Sequence, residues 1–167
     1  MLTRSVHYLK TLVFWILLWG YLQMGSLPAW GRVDPYVNQY LQASQPIDLP
    51  FDATGKTVSL SPAQLTAGKA LFQSNCLNCH VGGSTLPNPS ISLSLSDLQA
   101  ATPPRDNLSS LMQFQRQPLT YDGQALSEEC RKISAAWIPD SQLENLAAFV
   151  LRAAQVAPGW GSKFEGD

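Results

Sequence analysis

The chain has 167 residues, 45% of them apolar and 14% charged, with a formal net charge of −1. This is ordinary globular composition on a length that allows one small domain, and it excludes a basic nucleic-acid-binding surface.

The first thirty or so residues read as an address. Arg4 and Lys10 form a weakly basic start, residues 11–22 an uncharged and mostly apolar run, and Ala29-Trp30-Gly31 supplies small residues for a cut before Arg32. That layout predicts a cleavable signal peptide over residues 1–31. Gly20, Gly25, Pro28 and Gly31 break up the second half, which argues against an uncleaved spanning helix of about 20 residues. Beyond the cut, nine basic against twelve acidic side chains leave the mature chain at −3.

Val33, Tyr36, Val37, Tyr40 and Leu41 recur at helical spacing, with Asp34 placed to cap and Pro35 in the first turn. A short amphipathic helix is predicted inside an N-terminal extension, residues 32–46. Ile47 to Phe51 and Thr57 to Leu60 flank a glycine-containing turn and predict a small β-hairpin. Gly55-Lys56-Thr57 resembles the end of a phosphate-binding loop, but Pro50 stands where that loop needs its first glycine.

Ser61-Pro62-Ala63-Gln64 is a capping box that opens a helix ending near Ser74. From Val81 to Asn107 the composition predicts loop, because Gly, Ser, Pro and Asn dominate. Two more helices are predicted: Leu108 to Gln117, stopped by Pro118, and Asp140 to about Ala154, capped by Asp140. Residues 47–157 make up the main domain, and the tail, residues 158–167, reads as extended or mobile.

Cys76-Leu77-Asn78-Cys79-His80 carries the chemistry. Two thiols at this spacing add to the two vinyl groups of a haem, and the imidazole that follows meets the iron. A redox-active dithiol would need a βαβ setting, and a structural zinc site would need four ligands. The three cysteines and the single histidine beyond residue 31 fit neither. Cys76 and Cys79 are therefore the expected attachment points of one covalently bound haem c, with His80 as an axial iron ligand. The helix before this motif and the last helix resemble the pair that cross beside the haem in class I cytochromes c, with Gly68 allowing close approach to Phe149.

The opposite side of the iron is open at this level. His7 lies in the targeting segment, so no second histidine is available, and Met112 and Cys130 are the soft donors that remain. Met112 sits among Leu108, Leu111 and Phe114, where methionine is a common core filler. Cys130 is left unpaired once two thioethers form, and its alternatives are an inert buried thiol or an intermolecular link. Arg131 and Lys132 follow it directly and would favour its thiolate if they turned toward it.

Gly68-Lys69-Ala70-Leu71-Phe72-Gln73, the haem motif through Gly83, Asn88-Pro89-Ser90, Ala101 to Asn107 and Thr120-Tyr121-Asp122-Gly123 together resemble cytochrome c-550, the extrinsic haem subunit of cyanobacterial photosystem II. The similarity runs from about Leu49 to Leu151. It implies a mainly α class I cytochrome c fold with a small N-terminal β-hairpin, a low-potential haem and export to the thylakoid lumen. It also implies a place peripheral to the membrane, beside photosystem II lumenal subunits.

In that family a second histidine follows the Thr-Tyr-Asp-Gly stretch; here Cys130 stands in that place, which resembles the c-550-like branch. The resemblance thus implies Cys130 as the opposite axial ligand. The expected function is one-electron transfer with an unknown redox partner, without substrate turnover. The alternatives are a structural extrinsic subunit and a redox or gas sensor in which Cys130 leaves the iron.

Overall fold

The computed structural model describes residues 13–19 and 33–162. Residues 13–19 form a helix, α1, whose large apolar side chains are exposed. The rest of the expected signal peptide, its cleavage site and residues 163–167 of the expected tail lie outside the described residues. Among the described residues no helix is long and apolar enough to cross a membrane.

From Val33 onward the chain is mainly helical, with one two-stranded antiparallel sheet. The elements in order are α2 (Pro35–Gln39), β1 (Ile47–Pro50), β2 (Thr57–Leu60), α3 (Pro62–Asn75), a 3₁₀ turn (Val81–Gly83), α4 (Leu95–Ala100), α5 (Leu108–Arg116) and α6 (Asp140–Val156). The strands pair with Ile47 opposite Leu60 and Pro50 opposite Thr57.

Local chemistry explains most of the boundaries. At α3 the Ser61 hydroxyl accepts from the Gln64 amide, and the Gln64 carboxamide oxygen accepts from the Ser61 amide, which satisfies two donors that a helix start leaves open. At α2 the Asp34 carboxylate accepts from the Tyr36 amide, with Pro35 in the first turn.

The same aspartate ties α2 to α3. Its other oxygen receives Lys69 Nζ at 2.7 Å, and its amide donates to Thr66 Oγ1 at 3.1 Å. Val37, Leu41 and Ala43 are fully buried in the same core as Leu65, Leu146 and Phe149, and Arg152 Nε donates to the Leu41 carbonyl. The N-terminal segment is thus packed into the main core.

Asp34 gives a pH prediction. Burial alone would raise its carboxyl, but the Lys69 ammonium and the Tyr36 amide outweigh this and hold it below the ordinary value. A depressed carboxyl stabilises the fold above its unfolded pKa and loses that contribution as pH falls through the folded one. The stability gap between wild type and Asp34→Asn should be open at neutral pH and close below about pH 4. Urea unfolding at pH 7 and pH 3 reads it, and a gap of equal size at both would refute the assignment.

Three sequence expectations are corrected. The stretch from Val81 to Asn107 is not all loop: it holds the 3₁₀ turn and α4, whose N-cap Ser94 accepts from the Asp97 amide. Serine-rich composition hid a functioning cap. Helix α6 has Pro139 at its N-cap position with no side-chain cap, and the Asp140 carboxylate instead pairs with Arg116.

The tail is also folded as far as Ser162. Trp160 packs at 5.3 Å from Phe72 and 5.7 Å from Phe149, and its Nε1 donates to the Leu93 carbonyl. Burying an indole with its N–H satisfied overrides the local preference of a glycine-containing segment for disorder.

The centre of the molecule is the crossing of α3 and α6. A Cβ at Gly68 would lie 1.9 Å from the Asn145 carbonyl oxygen and 3.0 Å from Phe149 Cβ, so the helices approach to backbone contact there. Phe72 and Phe149 stack at 5.4 Å beside this point, and Tyr36 extends the cluster from α2.

Candidate functional site

The thiol–imidazole motif begins where α3 ends. Cys76 is the C-cap, its amide donating to the Phe72 carbonyl, and the Cys79 and His80 amides both return to the Cys76 carbonyl. This tight turn brings the three side chains to one end of α3. Gly82 and Gly83 then adopt left-handed backbone, and a Cβ at Gly83 would meet the Trp160 ring and the Gly161 amide nitrogen at 2.7 Å. The C-terminal turn therefore closes directly over the motif.

Beside the motif lies a cavity of about 520 Å³, in the size range of pre-formed ligand sites. Cys79 and His80 belong to its wall, and so does Cys130, fifty residues downstream. Much of the remaining lining is apolar, from Ile91, Leu93, Leu98, Leu111, Phe114 and Leu126. Cys76 packs against the hydrophobic core behind this wall.

His80 Nδ1 lies 3.2 Å from the Ser84 carbonyl and 3.3 Å from Thr85 Oγ1. Donation from Nδ1–H to that carbonyl selects the tautomer that leaves Nε2 with its lone pair available to a metal. Burial lowers the imidazole's pKa, against the smaller effect of that same carbonyl, which favours the neutral, ligating form.

The thiols are governed by burial too. Desolvation, followed by the charges of Cys130 and Cys79, pushes Cys76 up to about 11. Cys130 is likewise raised by burial, with Arg105 opposing the shift. At Cys130 metal coordination itself would supply the deprotonation that the apolar surroundings resist.

Arg105 is the residue that sequence reasoning missed. It stood in a stretch read as loop and as part of the family resemblance, with no role given to its side chain, yet it lines the cavity. Arg131 and Lys132, which would have favoured the Cys130 thiolate had they turned toward it, do something else: Arg131 sits over the Trp137 ring at 5.4 Å, and both are exposed. Neighbours in an irregular segment point apart, whereas the stretch between α4 and α5 supplies the cation.

The segment that carries Cys130 has no regular structure and is held from α5. Ser127 N donates to the Pro118 carbonyl, and Ile133 N to the Gln115 carbonyl. Arg116 binds the Ile133 and Ile138 carbonyls at 3.0 and 2.9 Å. Cys130 N donates to Ser127 Oγ at 3.3 Å. Met112, the other soft donor, is half-buried against the core, while its neighbours Leu111 and Phe114 line the cavity.

The donor set suits a haem: an oriented imidazole and a thiol lining one largely apolar cavity, with Cys79 in the same lining and Cys76 packed against the core three residues before it. Bound there, the group supplies one-electron iron chemistry, and the protein supplies ligands, charge and exclusion of water.

Known proteins agree. Residues 40–165 match the model of the cytochrome c-550 domain. The chain is 59% identical over 147 residues to a cytochrome c-550-like protein of Synechococcus sp. strain JA-3-3Ab, covering 88% of this chain and 84% of that one. It is 54% identical over 129 residues to photosystem II extrinsic protein V of Gloeobacter violaceus, covering 77% and 69%. The crystal structure of the PsbV2 cytochrome from Thermosynechococcus elongatus superposes with a TM-score of 0.78 at 56% identity, over 78% of this chain and all of that one. Cytochrome c549 superposes at 0.62 and 32% identity, over 68% and 95%.

The mainly α fold with its single hairpin is thus the one those cytochromes share, and the chain belongs to the cytochrome c-550 family of c-type cytochromes, with a covalently bound haem c as its cofactor.

Proposed function

We propose that the protein is a low-potential one-electron carrier of the thylakoid lumen, exported by a cleaved signal peptide over residues 1–31 and peripheral to photosystem II. Cys76 and Cys79 form the thioethers, and His80 and Cys130 hold the two axial positions of the iron. The observation that carries this reading is that Cys130 and His80 line one and the same cavity.

A histidine and an anionic sulfur favour ferric over ferrous iron, because the thiolate offsets the charge of the oxidised state. The side chains of Asp97, Glu128 and Glu129 in the same lining add to that preference. The work this reading assigns to these residues is to hold iron and tune its potential.

A ferric absorption spectrum with a potentiometric titration tests the reading. A thiolate band together with a strongly negative midpoint is expected; a positive midpoint or the absence of the band would overturn it.

The second reading is an extrinsic subunit that covers part of the photosystem's lumenal side, with haem mainly stabilising the fold. What favours it is the 54% identity to a protein named photosystem II extrinsic protein V. Retention on photosystem II cores at low salt would support it, and no association would remove it.

A further inference from the structure

We propose that Arg105 is a positioning residue of the haem site: it braces the segment that leads to Cys130 and sets a fixed positive charge on the thiolate side of the iron, raising the reduction potential. The proposal rests on Cys130 as the axial ligand.

The bracing is visible as a chain of bonds. Arg105 Nη2 donates to the Leu119 carbonyl at 3.1 Å and to the Thr120 carbonyl at 2.9 Å. Leu119 pairs across an antiparallel bridge with Leu126, and Thr120 N donates to the Ala125 carbonyl at 2.8 Å. Ser127, one residue on, is fastened to Pro118 and receives the Cys130 amide on its hydroxyl. The guanidinium therefore anchors the near end of the ligand segment, as Arg116 anchors the far end.

Its own position is over-determined. The guanidinium carbon lies 3.9 Å above the Phe114 ring, and the Arg105 amide donates to the Leu98 carbonyl at 2.8 Å. A flat cation stacked on an aromatic face and forked onto two carbonyls has little rotameric freedom left.

Both hydrogen-bond acceptors are neutral, so these bonds leave the positive charge in place. Among the described residues that line the cavity, Arg105 is the lysine or arginine, set against three carboxylates. In a partly dry cavity a fixed charge acts on the iron with less screening than at the surface. A positive charge penalises ferric iron more than ferrous, so it offsets part of what the thiolate and carboxylates do.

The two roles separate by substitution. Arg105→Met removes both charge and fork; Arg105→Lys keeps the charge and loses the fork. Each holoprotein is compared with wild type by spectroelectrochemistry and by titration of the ferric form with imidazole, which competes for the Cys130 side of the iron. Arg105→Met should show a more negative midpoint. Both variants should bind imidazole more tightly, on the order of tenfold, as a charge-assisted anchor is lost. Arg105→Lys should keep a midpoint near wild type.

A midpoint in Arg105→Met that is unchanged or more positive overturns the electrostatic role, and unchanged imidazole affinity in both variants overturns the bracing. Cys130→Ser serves as the reference. If it leaves the ferric spectrum as in wild type, the ligand assignment has failed. If it alters the spectrum while Arg105→Met changes nothing, only the present proposal has.

Discussion

Cys130→Ser should abolish the thiolate signature of the ferric protein and move its midpoint upward, on the order of 0.1 V or more within the roughly 0.8 V range that axial ligands span. Serine keeps the side chain's shape and its place in the cavity wall but remains a neutral hydroxyl, a poor donor to iron. The fold should survive, because the segment is held through its backbone: Ser127 to Pro118, Ile133 to Gln115, and Arg116 to the Ile133 and Ile138 carbonyls. Thermal unfolding close to wild type, with a changed spectrum, is the expected pair of results. If the spectrum is unchanged, Cys130 is not bound to the iron, and Met112 or an open position becomes the better account.

Gly68→Ala should destabilise the protein by about 3 kcal/mol or more, at the upper end of what overpacking costs. In an exposed helix this change would be stabilising by about 1 kcal/mol through propensity, so the sign is diagnostic. Here the new methyl would lie 1.9 Å from the Asn145 carbonyl oxygen and 2.6 Å from its carbon. Both are backbone atoms of α6, so no rotamer relieves the clash and the two helices must separate. Separation would also part Phe72 from Phe149 and loosen Trp160, which closes over the haem motif. Thermal unfolding of the holoprotein should fall by about 10 °C, using roughly 2–4 °C per kcal/mol at this size. A shift of less than about 2 °C would show that the helices can part at little cost.

The two substitutions probe different levels of the molecule, and they differ in how legible they were beforehand. Gly68 was legible because its helix and the last one resemble the pair that cross beside the haem in class I cytochromes c, although a merely tolerated helix glycine was the other reading of it. Asp34, Ser61 and the hairpin turn were legible for a local reason: caps and turns are decided by neighbours three or four residues away. Trp160 and Arg105 were not. Each acts through a partner far along the chain, Trp160 on Leu93 and Phe72, Arg105 on Leu119, Thr120 and Phe114. Nothing in their immediate neighbours marks either one.

Helix α4 and the start of α6 show the limit from the other side. Ser94 is one serine in a run of them, and only the turn actually formed distinguishes the cap from the rest. Asp140 had the right type and position for a cap, but the carboxylate finds more in the Arg116 guanidinium of a neighbouring helix. Tertiary charge pairing won over a local preference of comparable size.

Sequence alone pointed to a covalently bound haem, since two thiols with two residues between them and an adjacent imidazole, in a chain with three cysteines and one histidine beyond residue 31, left little room for a redox dithiol or a zinc site. It also determined the order of helices around the motif, because capping and periodicity act within a turn or two. Only the tertiary structure decided which distant residues share the cavity with His80. The cation in its lining is Arg105 and not Arg131 or Lys132, and Cys130 reaches the cavity that His80 lines because α5 and its arginine hold an otherwise irregular segment in place. Long-range position follows from packing, which no local pattern encodes.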